Sequence, residues 1–276
     1  MQAPDERMGD MNSYAQWRGE HLAKSWSKFD DAHVQGRDVI DFGSGQGNLA
    51  AYLAENKSPK SMVGVELHDP SVRAANARIP QLNLPDGVHL EYITGHVDGM
   101  PLPDASFDTL LAFDCMEHVM QPRAVLLEWA RVLRPGGRAL LEWYPYLNPW
   151  GPHMEALIPV PWAHLIFGQR AMMRTAERIY DDPSFVPRAW DLNEDGTKAE
   201  NKWRQWERFR EQGYINELTT HDFTRLADEA DFEIARFERF GFWAENSKAP
   251  AGQALAKLPV VGELFTAYCI IELVRR

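Results

Sequence analysis

The sequence predicts an α/β protein with a mostly parallel sheet covered by helices on both faces. Three observations carry this reading. Short apolar runs alternate with amphipathic ones through the first half of the chain, a glycine-rich turn follows the first apolar run, and a breaker cluster, Arg134-Pro135-Gly136-Gly137, stops the last helix of the series.

Residues 12–30 carry Tyr14, Trp17, His21, Leu22, Trp26 and Phe29 at gaps mostly of three to five, which predicts an amphipathic helix packed on the body of the protein. Asp38–Phe42 reads as a buried strand, Leu49–Glu55 as a helix and Ser61–Leu67 as a second strand. Asp69-Pro70 opens the next helix, with Asp as N-cap and Pro at its first position. Val88–Thr94 and Phe107–Phe113 are the third and fourth strands, Val119–Leu133 is helical, and Arg138–Trp143 is the fifth strand. The rhythm breaks at Tyr144-Pro145-Tyr146 and resumes with a helix at Thr220–Ala230. Strands at Phe232–Phe240 and Thr266–Val274 follow, with a loop and a short helix between them.

The stretch between Trp143 and Thr220 is too long for an ordinary connection. It holds five of the ten tryptophans, and we read it as a cap on the C-terminal edge of the sheet, where open α/β folds place ligands. The expected organisation is a helical segment over 1–35, a core domain over 36–146 and 217–276, and an inserted substrate cap over 147–216.

With 45% apolar and 25% charged residues, wholesale disorder is excluded. The 29 basic residues against 40 acidic ones leave a net charge of −11, which argues against nucleic acid as a partner. Two cysteines, Cys115 and Cys269, make neither a disulfide framework nor a Cys-rich zinc site. The first residues lack a secretory pattern, and the apolar window Ala156–Gly168 is too short to span a bilayer. The expectation is a cytoplasmic protein with no membrane span; the oligomeric state, including a homo-oligomer, stays open.

Asp41-Phe42-Gly43-Ser44-Gly45-Gln46-Gly47 sits between a strand and a helix, and Glu66 ends the next strand 19 residues after Gly47. Glycines permit a tight turn and close ligand approach, and a carboxylate at Glu66 can accept both hydroxyls of a ribose. Asn48 stands where the dinucleotide pattern G-x-G-x-x-G needs its third glycine. The turn resembles the first motif of class I S-adenosylmethionine-dependent methyltransferases. Met100–Asp108, Glu117-His118-Val119 and Leu133-Arg134-Pro135-Gly136-Gly137 are similar to later motifs of the ubiquinone/menaquinone-biosynthesis-like branch, in order. The likeness covers about 37–143 and, more loosely, 217–276.

The resemblance implies a Rossmann-like, seven-stranded doubly wound sheet and S-adenosyl-L-methionine as cofactor. Gly43, Ser44, Gly45 and Gly47 would wrap its amino-acid part, and Asp41 would orient that turn or receive the ammonium group through water. Glu66 would hold the ribose, with Leu67 and His68 beside the adenosine. Where the family carries an adenine-binding Asp, this chain has Gly95-His96-Val97-Asp98. Either His96 or Asp98 takes that role, and the Val97 backbone amide can serve the ring. Phe113, Asp114 and Cys115 would line the cleft near the sulfonium.

Glu117-His118 reads as a metal or acid/base pair, or as a brace for the helix that follows. His118, His153 and Tyr144 are the candidate catalytic groups, because a histidine or tyrosine can take a hydroxyl proton. Tyr146, Trp150, Trp162 and His164 are the candidate substrate-binding groups. Asp181-Asp182 and Asp191, Glu194 and Asp195 lack the spacing of a calcium loop, and no metal is expected.

The expected partner is a small, partly apolar methyl acceptor, methylated at oxygen. The alternatives are carbon methylation of a quinone-like or prenyl substrate, a cofactor-binding protein without catalysis, and a nucleotide-linked oxidoreductase.

Overall fold

A computed structural model describes residues 22, 24–97, 99–187, 191–193, 195–242 and 249–276. Its seven strands are β1 (Asp38–Phe42), β2 (Ser61–Glu66), β3 (His89–Thr94), β4 (Phe107–Phe113), β5 (Leu133–Trp143), β6 (Phe232–Gly241) and β7 (Thr266–Arg275). They form one sheet in the order β3-β2-β1-β4-β5-β7-β6. β1 to β5 pair in parallel, whereas β7 runs antiparallel to both β5 and β6. The order reverses between β1 and β4, and the crevice beyond their C-terminal ends is where this topology admits a ligand.

Alternation along the strands divides the core in two. Ile40, Leu110, Leu141 and Ile271 face Trp129, Phe223 and Phe232 on one side. Val39, Leu111, Leu140 and Ile270 face Leu22, Trp26, Phe29 and Leu53 on the other. The described part of the 1–35 segment therefore completes the second face of the sheet core. Residues 12–21 and 23 of the expected N-terminal helix lie outside the described residues.

The helices are α1 (Asn48–Lys57), α2 (Asp69–Arg78), α3 (Pro122–Val132), α4 (Ala163–Ile166), α5 (Gln169–Asp181), α6 (Thr220–Glu229) and α7 (Ala249–Ala256). Three expected boundaries move. His68 rather than Asp69 is the N-cap of α2, which puts Pro70 in the first turn. α3 starts at Pro122, because Met116–His118 form a separate 3-10 turn and proline favours a helix start. β5 starts at Leu133 rather than Arg138: Phe107 pairs with Leu133 and Thr109 with Arg138, and Arg134–Gly137 bulge out between them.

The insert after β5 has its own small core. Met154, Ala163, Met172, Met173, Ala176, Phe209 and Ile215 are buried together, with Tyr146, Trp203 and Trp206 packed against them. Met172, Met173, Ala176 and Tyr180 are the buried side of α5, at helical spacing. Among the described residues, no helix is long and apolar enough to cross a membrane.

Candidate active site

The glycine turn follows β1 directly. Gly43, Gly45 and Gly47 have φ of 71°, 54° and 75°, the left-handed region that glycine enters without a Cβ penalty. The Glu66 carboxylate ties the turn to the end of β2: Oε2 accepts from Gly45 N at 2.9 Å, and Oε1 accepts from Leu67 N at 2.8 Å and His68 N at 3.0 Å. Asp41 is buried at the end of β1, in register with Gly64.

A residue that sequence reasoning missed supports this turn from below. Tyr92 on β3 lies in register with Gly64 on β2, and its ring passes over that glycine. A Cβ on Gly64 would sit 2.3 Å from the ring, and one on Gly47 would sit 2.4 Å from it. The Tyr92 hydroxyl donates to the Gly47 carbonyl at 2.8 Å, and burial raises its pKa far above that of an ordinary phenol. The available signal was Gly64 itself, a glycine inside a buried strand.

The adenosine-side candidates lie on the rim. Leu67 and Val97 expose apolar side chains, at 59% and 64%. His68 Nδ1 meets Ser71 Oγ at 2.9 Å, while exposed His96 joins Gly99 through two backbone hydrogen bonds. Asp98 lies outside the described residues.

Beyond β4 the chain turns back beside the glycine turn. A Cβ on Gly43 would meet Cys115 Cβ at 2.8 Å. Burial, reinforced by the carboxylates of Glu117, Asp41, Asp114 and Glu66, raises the Cys115 pKa well above its usual value. Asp114 has φ 52° and donates its N–H to the Glu142 carbonyl. The Phe113 ring is buried and packs on Phe29 at 5.2 Å, which places it in the sheet core.

The three candidate catalytic residues converge here. The rings of His118 and His153 are 5.5 Å apart, and those of His153 and Tyr144 are 6.0 Å apart. Buried Glu117 places Oε1 3.8 Å from His153 Nε2. One ligand-capable atom from each of Glu117, His118 and His153 lies within 4.8 Å of the others, which among the described residues is the one such trio of His, Cys, Asp or Glu.

The surroundings hold the cluster in place. His118 Nδ1 lies 2.8 Å from the Tyr214 carbonyl, and the Tyr214 ring stacks on the imidazole at 4.1 Å. Asn216 clamps the turn by donating to the Met116 and Val119 carbonyls and accepting from Leu218 N. Tyr144 donates to Glu142 Oε1 at 3.3 Å, and Glu142 also receives Ser25 Oγ and Lys28 Nζ. Glu142 had a visible signal, a lone charge in the apolar run Ala139–Trp143. Tyr214 and Asn216 had none, because they meet the turn from nearly a hundred residues away.

The four substrate-binding candidates occupy the base of the cap. Trp162 donates Nε1–H to the Leu264 carbonyl and packs on Phe242 and Phe265, while Trp150 also reaches Phe242. His164 is buried with Nε2 at 3.1 Å from the Tyr146 carbonyl, and burial pushes its pKa down to about 4. Tyr146 packs edge-on against that imidazole, and burial raises its own pKa.

Residues 40–141 match the family described as a methyltransferase domain. Residues 40–141 thus form a methyltransferase domain, and the seven-stranded sheet that holds it has the class I methyltransferase fold. It is 32% identical over 146 residues to an uncharacterized methyltransferase of Mycobacteroides abscessus, covering 53% of this chain and 52% of the relative. It is 33% identical over 106 residues to a fatty-acid O-methyltransferase of Mycolicibacterium smegmatis, covering 38% of this chain and 36% of the relative. The chain thus spans about half, or less, of the length of these curated relatives. A solved SAM-dependent methyltransferase from Methanosarcina mazei shares the fold with a TM-score of 0.54 at 16% identity, over 88% of this chain and 95% of that one.

The residues present fit S-adenosylmethionine. Gly45 has nothing within 4 Å of where a Cβ would stand, so a ligand can reach its backbone. Ser44 Oγ in the same turn is buried without a hydrogen-bond partner among the described residues. Three backbone N–H groups already use the Glu66 carboxylate, which offers about four lone-pair sites, so room remains for a ribose hydroxyl.

Proposed function

We propose that the protein transfers the methyl group of S-adenosylmethionine to a hydroxyl oxygen of a small, partly apolar molecule. The convergence of Tyr144, His118 and His153 around buried Glu117, beside the glycine turn, carries this reading. The cofactor supplies a methyl group already activated on a sulfonium. Asp41, Gly43, Ser44, Gly45, Gly47 and Glu66 hold its amino-acid and ribose parts, with Leu67, His68, His96 and Val97 along the adenosine rim. Tyr146, Trp150, Trp162 and His164 build the cap wall that shields the acceptor from water.

Orientation provides most of the acceleration, by holding the acceptor oxygen in line with the methyl–sulfur bond. A bound cofactor would supply the methyl group and keep the bonding pair on its sulfur, so what is left to this chain is to receive the acceptor hydroxyl's proton. The His118–His153 pair lies on the side where an imidazole can take that proton. The name of the fatty-acid O-methyltransferase relative supports an oxygen acceptor of apolar character.

The test incubates the protein with methyl-13C cofactor and a metabolite extract, then reads the carbon shift of each labelled product. An O-methyl signal is expected. Label found only on carbon, nitrogen or sulfur, or no transfer from a protein that binds the cofactor, refutes the proposal.

A further inference from the structure

We propose that the cavity at the N-terminal end of the parallel strands, lined by His33, Arg37, Asp108, Arg134, Gly136 and Arg138, is a binding site for inorganic phosphate. β1 and β4 begin here and lead to the cofactor turn and to Asp114 at their other ends, so the site lies across the sheet from the cleft and goes beyond the function proposed above. The cavity measures about 240 Å³, below the roughly 300–1,000 Å³ of drug-sized ligand sites, which limits its occupant to a small ion or molecule.

Its charge runs against that of the whole chain. The net charge is −11, yet three arginines and a single carboxylate, Asp108, line this cavity. Carboxylates answer the three arginines unequally. Arg134 is held between Asp38 at 3.1 Å and Asp108 at 2.7 Å. Arg138 stands 3.6 Å from Glu272, a carboxylate that also serves Arg236 at 3.2 Å and lies 3.9 Å from His33 Nε2. Arg37 makes no ion pair among the described residues. Arg37 and Arg138 therefore keep capacity for an anion.

His33 brings these two charges to one place. Burial lowers its pKa, Glu272 and Asp30 pull it up, and Arg138 and Arg37 both push it down. Both guanidiniums thus act on the same imidazole. Thr109 donates Oγ1–H to the His33 carbonyl at 2.6 Å, which ties that turn to the start of β4. On the other side, Arg134–Gly137 bulge out of β5. Gly136 there is exposed at φ 78°, with nothing within 4 Å of where a Cβ would stand, so an ion can approach its backbone closely.

Guanidinium forks match phosphate oxygens bidentately. Asp108 narrows the choice of anion. A carboxylate repels a fully ionised oxyanion but accepts a hydrogen bond from one that retains a proton. At neutral pH inorganic phosphate retains a proton and sulfate does not. The site should therefore prefer phosphate.

The experiment titrates the whole chain with sodium phosphate and, separately, sodium sulfate, at pH 7.5 and constant ionic strength. Calorimetry is expected to show one phosphate bound, with sulfate about tenfold weaker or more. Arg37→Ala removes an exposed side chain without an ion pair, so it keeps the fold, and it should weaken phosphate binding by about tenfold, the loss of a hydrogen bond to a charged group. Asp108→Asn should narrow the preference over sulfate. The His33 ring resonances, assigned against His33→Gln, give a local readout: saturating phosphate should raise the His33 pKa, because a neighbouring anion favours the imidazolium.

Absence of phosphate binding, sulfate binding as tight as phosphate, or wild-type affinity in Arg37→Ala overturns the site. Phosphate bound with the His33 pKa unmoved places the ion elsewhere and overturns it as well. None of these readouts needs a methyl acceptor, so failure here leaves the proposed function standing, and failure of methyl transfer leaves this site standing.

Discussion

Alanine at Gly45 and alanine at Gly47 pose the same backbone problem and opposite packing problems. Both residues have positive φ, 54° and 75°, where a Cβ costs about 1–2 kcal/mol. At Gly47 the new Cβ lands 2.4–2.7 Å from three atoms of the Tyr92 side chain. That ring has little room to withdraw: it is 4% exposed, lies over Gly64, and is hydrogen-bonded to the Gly47 carbonyl. Forcing it aside adds roughly 1–3 kcal/mol of overpacking. Gly47→Ala should therefore lose about 2–5 kcal/mol of stability, and Gly45→Ala only about 1–2 kcal/mol. Cofactor affinity should separate the pair the other way. The Gly45 Cβ enters open space over the turn, where the ligand's amino-acid end approaches, and a loss of at least about 1.4 kcal/mol would appear as a tenfold weaker Kd. Urea unfolding gives the first quantity, and calorimetry on the folded variants gives the second. Truncating Tyr92 to Leu in the Gly47→Ala background should recover part of the steric loss. Equal stability losses in the two single variants, or wild-type affinity in Gly45→Ala, would refute the reasoning.

Glu66→Gln should weaken cofactor binding by about 1–3 kcal/mol, the range for hydrogen bonds to a charged group, and unchanged calorimetric affinity removes Glu66 from the site. Tyr92→Phe should cost about 0.5–1.5 kcal/mol in urea unfolding, since the Gly47 carbonyl keeps Ala51 N–H as a partner; a much larger loss would mean the hydroxyl alone props the turn. His164, held at about 4 when folded against about 6.5 unfolded, leaves the unfolded state with the extra proton between those values. Stability should therefore fall as pH drops from about 6.5 towards 4, by about 3 kcal/mol in all, and His164→Phe should flatten that slope; an unchanged slope in unfolding curves at pH 5 and 7.5 disproves it. Trp162→Ala, losing its Nε1–H bond to Leu264 and its packing on Phe242 and Phe265, should lower stability by about 3 kcal/mol, and unfolding curves that match wild type would contradict that anchoring.

What was legible in the chain divides according to how far each signal reaches. The sheet could be read because each strand announces itself within five to nine residues, and the cofactor turn because Asp41–Gly47 and Glu66 lie close together in sequence. Boundaries failed where pairing overrode local chemistry. Pro135-Gly136-Gly137 reads as a break, yet Leu133 still pairs with Phe107 and the breakers become a bulge within β5. The insert reads as an aromatic wall, but its packed centre includes Met154, Met172 and Met173, whose partners come from separate parts of the segment. The site's supports were hidden for the same reason. Lys28 finds Glu142 across 114 residues, and His118 finds the Tyr214 carbonyl across 96. Tyr92 is the instructive middle case. A tyrosine in a strand predicts nothing alone, and neither does Gly64 in the strand beside it. Their register turns the pair into a prop, because an aromatic ring can cross a neighbouring strand only where that strand has no Cβ. A glycine between valines in a buried strand therefore signals that something large passes over it. The structure supplies the ring, and that ring reaches the carbonyl that ends the cofactor turn.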